Sequence, residues 1–284
     1  MAAAIIDHSN VIHDYSLSET AYSYGYDLRL KYSTFMQDSL DWVAKNAASL
    51  FAGQSTRVLS LGCGNGLFDR EFIKIIEQQK NTNWSYTGID FSATDLDQFR
   101  QKIASLDGET QAKIFLECKK FTPCTEQGMH YDLITMIHFL HSFDAVLPII
   151  QNAMRHLLPA GKLLIIQQKK QGMSELKASL NGLLPNRKFQ SSDRIKTLLH
   201  SEGIRFSAHK LDTRFDISIM QKMSLDTLLL MSFCLSNDLS LLNTQQQEKI
   251  RQTFLSYSQP ANDGSLIFHE QMEVIICSAV NYSA

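Results

Sequence analysis

The chain contains 284 residues, of which 44% are hydrophobic and 20% are charged. This length permits one large α/β domain or two small ones, and the composition excludes disordered, collagen-like and disulfide-scaffold proteins. Lysine and arginine total 27 against 29 aspartate and glutamate, which gives a net charge of −2 without a block of like charge. We expect no nucleic-acid partner, because such a partner favours a basic surface.

Cysteine usage and hydropathy indicate the cellular compartment. The five cysteines are scattered without a CxxC pair or zinc spacing, which favours a reducing compartment and a cytoplasmic protein. The first ten residues lack the cationic region and the apolar length of a signal peptide. The longest apolar stretch, residues 228–235, is too short for a bilayer, which requires about 20 residues. We expect no membrane partner, and a monomer or weak dimer.

The order of apolar patterns predicts the fold class. Residues 1–50 place apolar side chains at loosely helical intervals from Leu28 onward, which predicts a helical N-terminal cap. From Arg57, short apolar runs alternate with amphipathic helices, as is typical of the parallel βαβ units of a doubly wound α/β sheet. The predicted strands are residues 58–61, 86–89, 114–116, 133–137 and 163–166, with a terminal strand at 266–277.

Helix signals separate and follow these strands. Ser92 begins a helix after the second strand, and Pro159-Ala160-Gly161 is predicted to end the helix before the fifth. A buried helix is predicted over residues 225–235. Thr244 and Gln247 are predicted to form the capping box of the last helix.

A polar segment, residues 167–191, interrupts the alternation. We predict that it is an insertion or a lid over the edge of the sheet where ligands bind. The chain has no internal repeat, low-complexity tract or Pro/Gly-rich linker, so one domain with embellishments is preferred to two. The predicted organisation is a helical cap over residues 1–50 and a main domain over residues 51–284.

Three glycines at alternate positions follow the first strand, in the sequence Gly62-Cys63-Gly64-Asn65-Gly66. Glycine lets the backbone turn sharply and approach a ligand, and the helix that follows offers unpaired N–H groups. A dinucleotide pattern GxGxxG would need a glycine where this chain has Leu67. The spacing therefore fits a nucleoside without a pyrophosphate, and a plain strand-to-helix turn is the alternative.

Asp90 ends the second strand, in the sequence Gly88-Ile89-Asp90. The carboxyl ends of parallel strands meet at one edge of a sheet, so we expect this carboxylate beside the glycine loop. A carboxylate there accepts hydrogen bonds from both ribose hydroxyls, each worth about 1.5 to 3 kcal/mol. The two signals together predict a nucleoside site.

These motifs resemble those of the class I S-adenosylmethionine-dependent methyltransferases over about residues 55–170. The other segments that carry this resemblance are Tyr131-Asp132-Leu133-Ile134 and the turn and strand from Leu158 to Ile165. Within that superfamily the chain is most similar to the histamine N-methyltransferase family. The segments that carry this second resemblance are Ser60, Leu67-Phe68-Asp69, the run from Met136 to Leu140, Ser192-Asp193 and the strand around Phe268. The resemblance implies a Rossmann-like, mostly parallel seven-stranded sheet with an antiparallel last strand, and S-adenosyl-L-methionine as the cofactor.

The resemblance also implies which residues bind the cofactor. The positions that line it or pack near it are Gly62, Gly64, Gly66, Asp90 and Ile137, with Asp90 holding the ribose. Asp95 falls where the family also contacts the cofactor, although Ser92 and Asp95 equally form an S-x-x-D capping box. Thr122 lies where the adenine is usually flanked.

Two positions differ from the family where the methyl acceptor binds. The family has amides just after strand four and in the last strand, where this chain has His138 and Glu270. We predict that His138 is a substrate contact or base, with a packed, hydrogen-bonded histidine as the alternative. Glu270 either faces a cationic amine or is an outward-facing strand carboxylate. His138 and His141 lack a third ligand, so no metal site is predicted.

The tyrosines near the start of the chain offer aromatic faces to a cation. They are Tyr22, Tyr24, Tyr26 and Tyr32. A sulfonium or ammonium group is attracted to an aromatic face, so one of them is a candidate to close over the cofactor. The alternative is that they cover a core.

The predicted function is that of an S-adenosylmethionine-dependent methyltransferase that N-methylates a small amine or imidazole-type metabolite. Such a transfer needs positioning rather than a nucleophilic side chain, and positioning supplies about 7 to 11 kcal/mol. The alternatives are a methyltransferase for a protein or another macromolecule, with residues 167–191 as docking surface, and a catalytically inactive cofactor-binding regulator. A nicotinamide oxidoreductase is disfavoured because Leu67 replaces the last glycine of its motif.

Overall fold

The computed structural model describes residues 17–51, 55–79, 83–121, 129–184 and 190–279. The strands are β1 (Ser55–Leu61), β2 (Asn83–Asp90), β3 (Ile114–Cys118), β4 (Tyr131–Ile137), β5 (Leu157–Gln168), β6 (Phe206–Asp216), β7 (Ser258–Pro260) and β8 (Leu266–Ser278). The helices are α1 (Glu19–Tyr32), α2 (Phe35–Leu50), α3 (Leu67–Glu77), α4 (Ala93–Ile103), α5 (Gly108–Gln111), α6 (Val146–Arg155), α7 (Glu175–Ser179), α8 (Ser192–Ser201), α9 (Leu225–Leu235) and α10 (Thr244–Ser256).

The strands form one mixed sheet in the order β3-β2-β1-β4-β5-β8-β6. Strands β1 to β5 pair in parallel, whereas β8 is antiparallel to both β5 and β6. The predicted Rossmann-like sheet of seven strands with an antiparallel last strand is confirmed, and the short β7 adds an eighth strand by pairing with β8. The strand order reverses between β1 and β4, which in such sheets opens a ligand crevice at the carboxyl ends of the strands.

Three apolar clusters hold the helices against the sheet. Helices α2, α3 and α4 pack on one face, where Val58 of β1 points. Helices α6 and α8 pack on the other face, where Leu59 and Leu61 point. The third cluster gathers α1, α7, α9 and α10 around Phe215 of β6 and Phe268 of β8. This third cluster lies beyond β5, because β8 pairs with β5 only from Met272 onward.

Two predicted helix boundaries are wrong by a few residues. The capping box of α10 is formed by Asn243 and Gln246 instead of Thr244 and Gln247: the Asn243 side chain accepts the Gln246 N–H at 2.9 Å, and the Gln246 side chain accepts the Asn243 N–H at 3.1 Å. Helix α6 ends at Arg155, and residues 159–161 already belong to β5. A register shift near Tyr131 accommodates this early start of β5.

The helical character of the region before β1 is confirmed for α1 and α2, and residues 1–16 lie outside the described residues. After β5, a kinked turn over Lys170–Ser174 and helix α7 occupy the first half of the segment predicted as a lid. A Cβ at Gly172 in that turn would lie 3.4 Å from the His269 carbonyl oxygen, so the turn covers β8. In the described part of the chain, no helix has the length and apolar character that a membrane crossing requires.

Candidate functional site

The glycine loop connects β1 to α3 at the carboxyl edge of the sheet. Gly62, Gly64 and Gly66 all have left-handed backbone angles, with φ of 73°, 51° and 73°. Gly66 is the N-cap of α3, and a Cβ on it would lie 2.1 Å from the Phe99 ring of α4. Any larger residue there would both strain the backbone and displace α4, so this glycine closes the loop against the fold.

Gly64 differs from its two neighbours because it faces open space. A Cβ on Gly64 would meet no heavy atom within 4 Å, although its φ of 51° disfavours any side chain. Its N–H donates to Asp90 Oδ2 at 2.9 Å. The partly exposed backbone of Gly64 and the carboxylate of Asp90 thus form two sides of one cradle at the ends of β1 and β2.

The Asp90 carboxylate is 9% exposed and accepts two backbone hydrogen bonds. Its Oδ1 accepts the Ser92 N–H at 2.9 Å, and its Oδ2 accepts the Gly64 N–H. Burial raises the pKa of Asp90, and the backbone N–H groups oppose that rise. Each carboxylate oxygen can accept a further hydrogen bond, so the group remains able to bind the hydroxyl groups of a ligand.

A buried acid beneath the loop was missed as a site residue. Asp69, in the first turn of α3, accepts the Tyr86 hydroxyl at 2.6 Å, and it also accepts a hydrogen bond from Ser60. Burial raises the pKa of Asp69 to about 6, although these hydrogen bonds lower it. The signal in the sequence is a carboxylate on the apolar face that Phe68 and Phe72 give to α3.

We expect the stability of the native protein to fall, relative to an Asp69→Asn variant, as the pH rises from 4 to 8. The folded pKa of Asp69, about 6, lies above the ordinary value of about 4, so its contribution is present below pH 4 and is lost as the pH rises through 6. The shift of about two pKa units corresponds to about 3 kcal/mol in the free energy of unfolding. Urea denaturation of both proteins at several pH values measures this pH dependence of the free energy of unfolding. Parallel pH profiles would contradict the assignment.

Of the other predicted cofactor residues, Asp95 lies in the first turn of α4 and Ile137 ends β4. Ser92 caps α4 by accepting the Asp95 N–H at 3.2 Å, so this part of the predicted capping interaction is confirmed. Ile137 is partly buried at the carboxyl end of β4 and packs against the first apolar cluster. Thr122 lies outside the described residues.

His138 follows β4 on the side of the loop away from Asp90. Its φ of 50° is left-handed, and its N–H donates to the Ile166 carbonyl at 3.0 Å. Its ring lies 4.2 Å from the Phe35 ring, measured between centroids. The next residue, Phe139, covers Gly62, because a Cβ on Gly62 would lie 2.5 Å from its ring. The turn at residues 138–139 therefore adjoins the cradle directly.

We expect the His138 ring to stay uncharged from pH 8 down to about pH 4. Burial lowers the pKa of His138 to about 3, and the positive charges of His141 and Arg29 lower it further. Because the unfolded chain takes up this proton near pH 6.5, the contribution of His138 to stability is lost as the pH falls below that value. Nuclear magnetic resonance of the ring protons measures the titration, and a midpoint near 6.5 would contradict this environment.

Glu270 lies inside the fold instead of facing outward. It is 2% exposed on β8, and its Oε2 forms an ion pair with Nη2 of Arg29 on α1. The Arg29 guanidinium carbon lies 3.8 Å from the centroid of the Phe215 ring. The outward-facing alternative for Glu270 is wrong. Arg29, Phe35 and Phe215 were not predicted as site residues.

All four tyrosines lie on α1, and two of them pack on Phe233 of α9. Tyr22 packs on Phe233 of α9, with 5.1 Å between ring centroids, and Tyr24 donates to Asp226 at 3.0 Å. Tyr26 also packs on Phe233, with 5.8 Å between ring centroids, and Tyr32 is partly buried against the third apolar cluster. These contacts favour the alternative that the tyrosines cover a core, and closure of one of them over the cofactor stays a prediction.

The site has two ends. The glycine loop and Asp90 form an end suited to an adenosyl group, because Gly64 leaves open space and the carboxylate is held ready to accept hydroxyl protons. His138 and Phe35 give the other end an uncharged imidazole and an aromatic face. The Arg29–Glu270 ion pair lies beyond them, beside Phe215, with which Ser33 pairs. Among the described residues, no group of three or more His, Cys, Asp or Glu side chains could hold a metal ion.

Comparison with known proteins agrees with this geometry. A family model described as a methyltransferase domain matches residues 30–206, which is more than half of the chain. None of the curated proteins compared with the chain matches it.

The solved structures that are similar to the chain share its fold. The YcgJ protein from Bacillus subtilis has 13% identity and a TM-score of 0.58, over 84% of this chain and 97% of that protein. The plantazolicin methyltransferase BpumL has 14% identity and a TM-score of 0.52, over 92% and 91% of the two chains. StiE O-MT has 16% identity and a TM-score of 0.50, over 87% and 75%.

Proposed function

The chain belongs to the methyltransferase-domain family of S-adenosylmethionine-dependent enzymes, and from that premise we propose that it N-methylates a small amine or imidazole-type metabolite. The observation that carries this proposal is the open cradle of Gly64 and Asp90 directly beside the apolar turn at His138. A bound methyl donor and a small acceptor would meet at this junction.

The glycine loop and Asp90 would bind and orient the cofactor. When bound, S-adenosylmethionine supplies an electrophilic methyl group on a sulfonium. The Gly64 backbone would approach it closely, and the Asp90 carboxylate would accept its ribose hydroxyls. We propose Gly62, Gly66, Asp95, Thr122 and Ile137 as the further cofactor-binding positions. BpumL was crystallised with S-adenosylhomocysteine, which supports this choice of ligand.

His138 and Phe35 would position the acceptor. A pKa of about 3 leaves the His138 imidazole uncharged at neutral pH, so it would hold the acceptor by a hydrogen bond and would not repel a positive charge that develops on it. A base with so low a pKa removes protons poorly, and Glu270 is already paired with Arg29. We therefore propose that His138 and Glu270 act as acceptor-binding residues and that orientation supplies most of the acceleration.

The resemblance to the histamine N-methyltransferase family supports a small amine or imidazole acceptor through the Met136–Leu140 run, which lies beside the cradle. Within that run His138 stands where the family has an amide, so the proposal names the acceptor class and not histamine itself. A docking role for residues 167–191 in a macromolecular methyltransferase has no comparable support from this site.

The test has two stages. Isothermal titration calorimetry with S-adenosylmethionine should give saturable binding to the purified chain. Incubation with labelled cofactor and a panel of imidazoles and small amines should then transfer label to at least one nitrogen. Absence of cofactor binding would overturn the proposal, and binding without transfer to any panel member would favour a regulator that has lost catalysis.

A further inference from the structure

The ion pair between Arg29 and Glu270 is an incomplete hydrogen-bond arrangement. Arg29 is 8% exposed and Glu270 is 2% exposed, so both charges are removed from water. A guanidinium and a carboxylate can form two parallel hydrogen bonds, but here only Nη2 and Oε2 meet. Arg29 Nη1 and Glu270 Oε1 are buried without a hydrogen-bond partner in the described part of the chain. One donor and one acceptor are therefore left over.

The surroundings hold this pair rigidly. Phe215 lies under the guanidinium at 3.8 Å, and the Thr213 hydroxyl donates to the Glu270 carbonyl at 3.2 Å. Ser33, just after α1, pairs with Phe215, and Phe35 two residues further on contacts the His138 ring. The chain that carries Arg29 therefore continues directly to the proposed acceptor contact. The leftover donor and acceptor thus belong to the acceptor end of the site.

We infer that the pair binds a group of the methyl acceptor that carries no net charge and has an adjacent hydrogen-bond acceptor and donor. Resting on the proposed function, this inference specifies which acceptors that function takes. Arg29 Nη1 would donate a hydrogen bond to the acceptor atom of the bound group. Glu270 Oε1 would accept a hydrogen bond from the donor atom of the same group.

The charge of the pair sets this selectivity. The two side chains neutralise each other. An added ammonium group would be attracted by Glu270 and repelled by Arg29, whereas an added carboxylate would be attracted by Arg29 and repelled by Glu270. Either ion would also bring an uncompensated charge into a buried site. A carboxamide, or the zwitterionic head of an amino acid, supplies both partners without net charge.

Four imidazoles that differ mainly in the polar head test the inference. They are 3-(imidazol-4-yl)propanamide with a primary amide head, L-histidine with a zwitterionic head, histamine with a cationic head and imidazole-4-propionate with an anionic head. Calorimetry on the full chain saturated with S-adenosylhomocysteine measures their affinities. We expect at least one uncharged or zwitterionic head to bind about tenfold tighter than both ions, as for one hydrogen bond to a charged group. The first two compounds distinguish an amide from a zwitterion.

A double variant, Arg29→Met with Glu270→Met, tests whether the pair causes the preference. Replacing both charges by apolar side chains preserves folding better than removing one of them. We expect this variant to bind S-adenosylhomocysteine unchanged and to lose the tenfold preference. The matched control, Glu248→Met with Arg251→Met, removes an Arg–Glu pair on α10 and should keep the preference. If this double variant fails to fold, Arg29→Leu with Glu270→Leu, which also removes both charges, should lose the preference in the same way.

Three results would overturn the inference. They are an affinity for histamine or imidazole-4-propionate that equals or exceeds the affinity for the other two compounds, a preference that survives in the double variant, and binding of S-adenosylhomocysteine without binding of any of the four imidazoles. In each case cofactor binding stays intact. Failure of the proposed cofactor site would instead appear as loss of S-adenosylhomocysteine binding in the unmodified chain, so the two failures are distinguishable.

Discussion

A Gly64→Ala variant is expected to bind S-adenosylmethionine at least about tenfold more weakly while losing only about 1 to 2 kcal/mol of stability. The added methyl group enters the open side of the cradle, where it meets no protein atom within 4 Å but takes the space of the ligand. The loss of stability comes from the left-handed φ of 51°, which alanine adopts at a cost. Titration calorimetry measures the affinity, and urea denaturation measures the stability.

Gly203→Ala is the matched control for this change. Gly203 has a φ of 66°, and a Cβ on it would also meet nothing within 4 Å. It lies between α8 and β6, at the edge of the sheet opposite the cradle. We expect a similar loss of stability with unchanged cofactor affinity. Equal affinities of the Gly64 and Gly203 variants would show that the cofactor does not approach the loop.

An Asp90→Asn variant should weaken cofactor binding by at least about tenfold, because a hydrogen bond to a charged group is worth about 1.5 kcal/mol or more. The asparagine side chain keeps the shape of aspartate but lacks its charge, and its NH₂ group cannot accept a hydrogen bond from a ribose hydroxyl. This NH₂ group would also face the N–H of either Gly64 or Ser92, so the loop loses one supporting hydrogen bond.

Asp132→Asn is the control for this second prediction. Asp132 also accepts a backbone hydrogen bond, from the Arg57 N–H at 2.8 Å, but it lies at the start of β4, away from the cradle. We expect the Asp132 variant to bind the cofactor as the native chain does. If the Asp90 variant matched it in affinity, the carboxylate would have no part in holding the ribose.

The sheet and the cofactor end could be predicted because their signals are local. The glycine loop and Asp90 each end a short apolar run, and the parallel register of Leu61 with Ile89 brings the two ends together. The alternation of apolar runs with amphipathic helices located the first five strands along the chain. Burial on both faces makes such central strands stand out in a sequence.

Strand β6 was missed for the opposite reason. It is an edge strand, and Ser207, Ala208, His209 and Lys210 are exposed in it. Only its second half alternates, with Leu211, Thr213 and Phe215 buried. An edge strand with one solvated face carries too few apolar residues to be separated from a polar loop by its pattern alone.

The acceptor end was missed in part because its contacts are distant along the chain. Arg29 and Glu270 are 241 positions apart, and no sequence motif around either residue predicts that they pair. The family resemblance identified Glu270, but its partner Arg29 lies on α1, which packs against α9 and β6 far from β8 in the sequence. Asp69 was hidden differently, because an acidic residue in the first turn of a helix is ordinary.

The central claim is that the edge formed by the glycine loop and Asp90 binds the adenosyl group of the methyl donor. A crystal structure of the chain with S-adenosylhomocysteine tests it most directly. We predict both ribose hydroxyls within hydrogen-bond distance of the Asp90 carboxylate, with the ligand packed against the Gly64 backbone. A ligand bound elsewhere, or a ribose that Asp90 does not contact, would contradict the account.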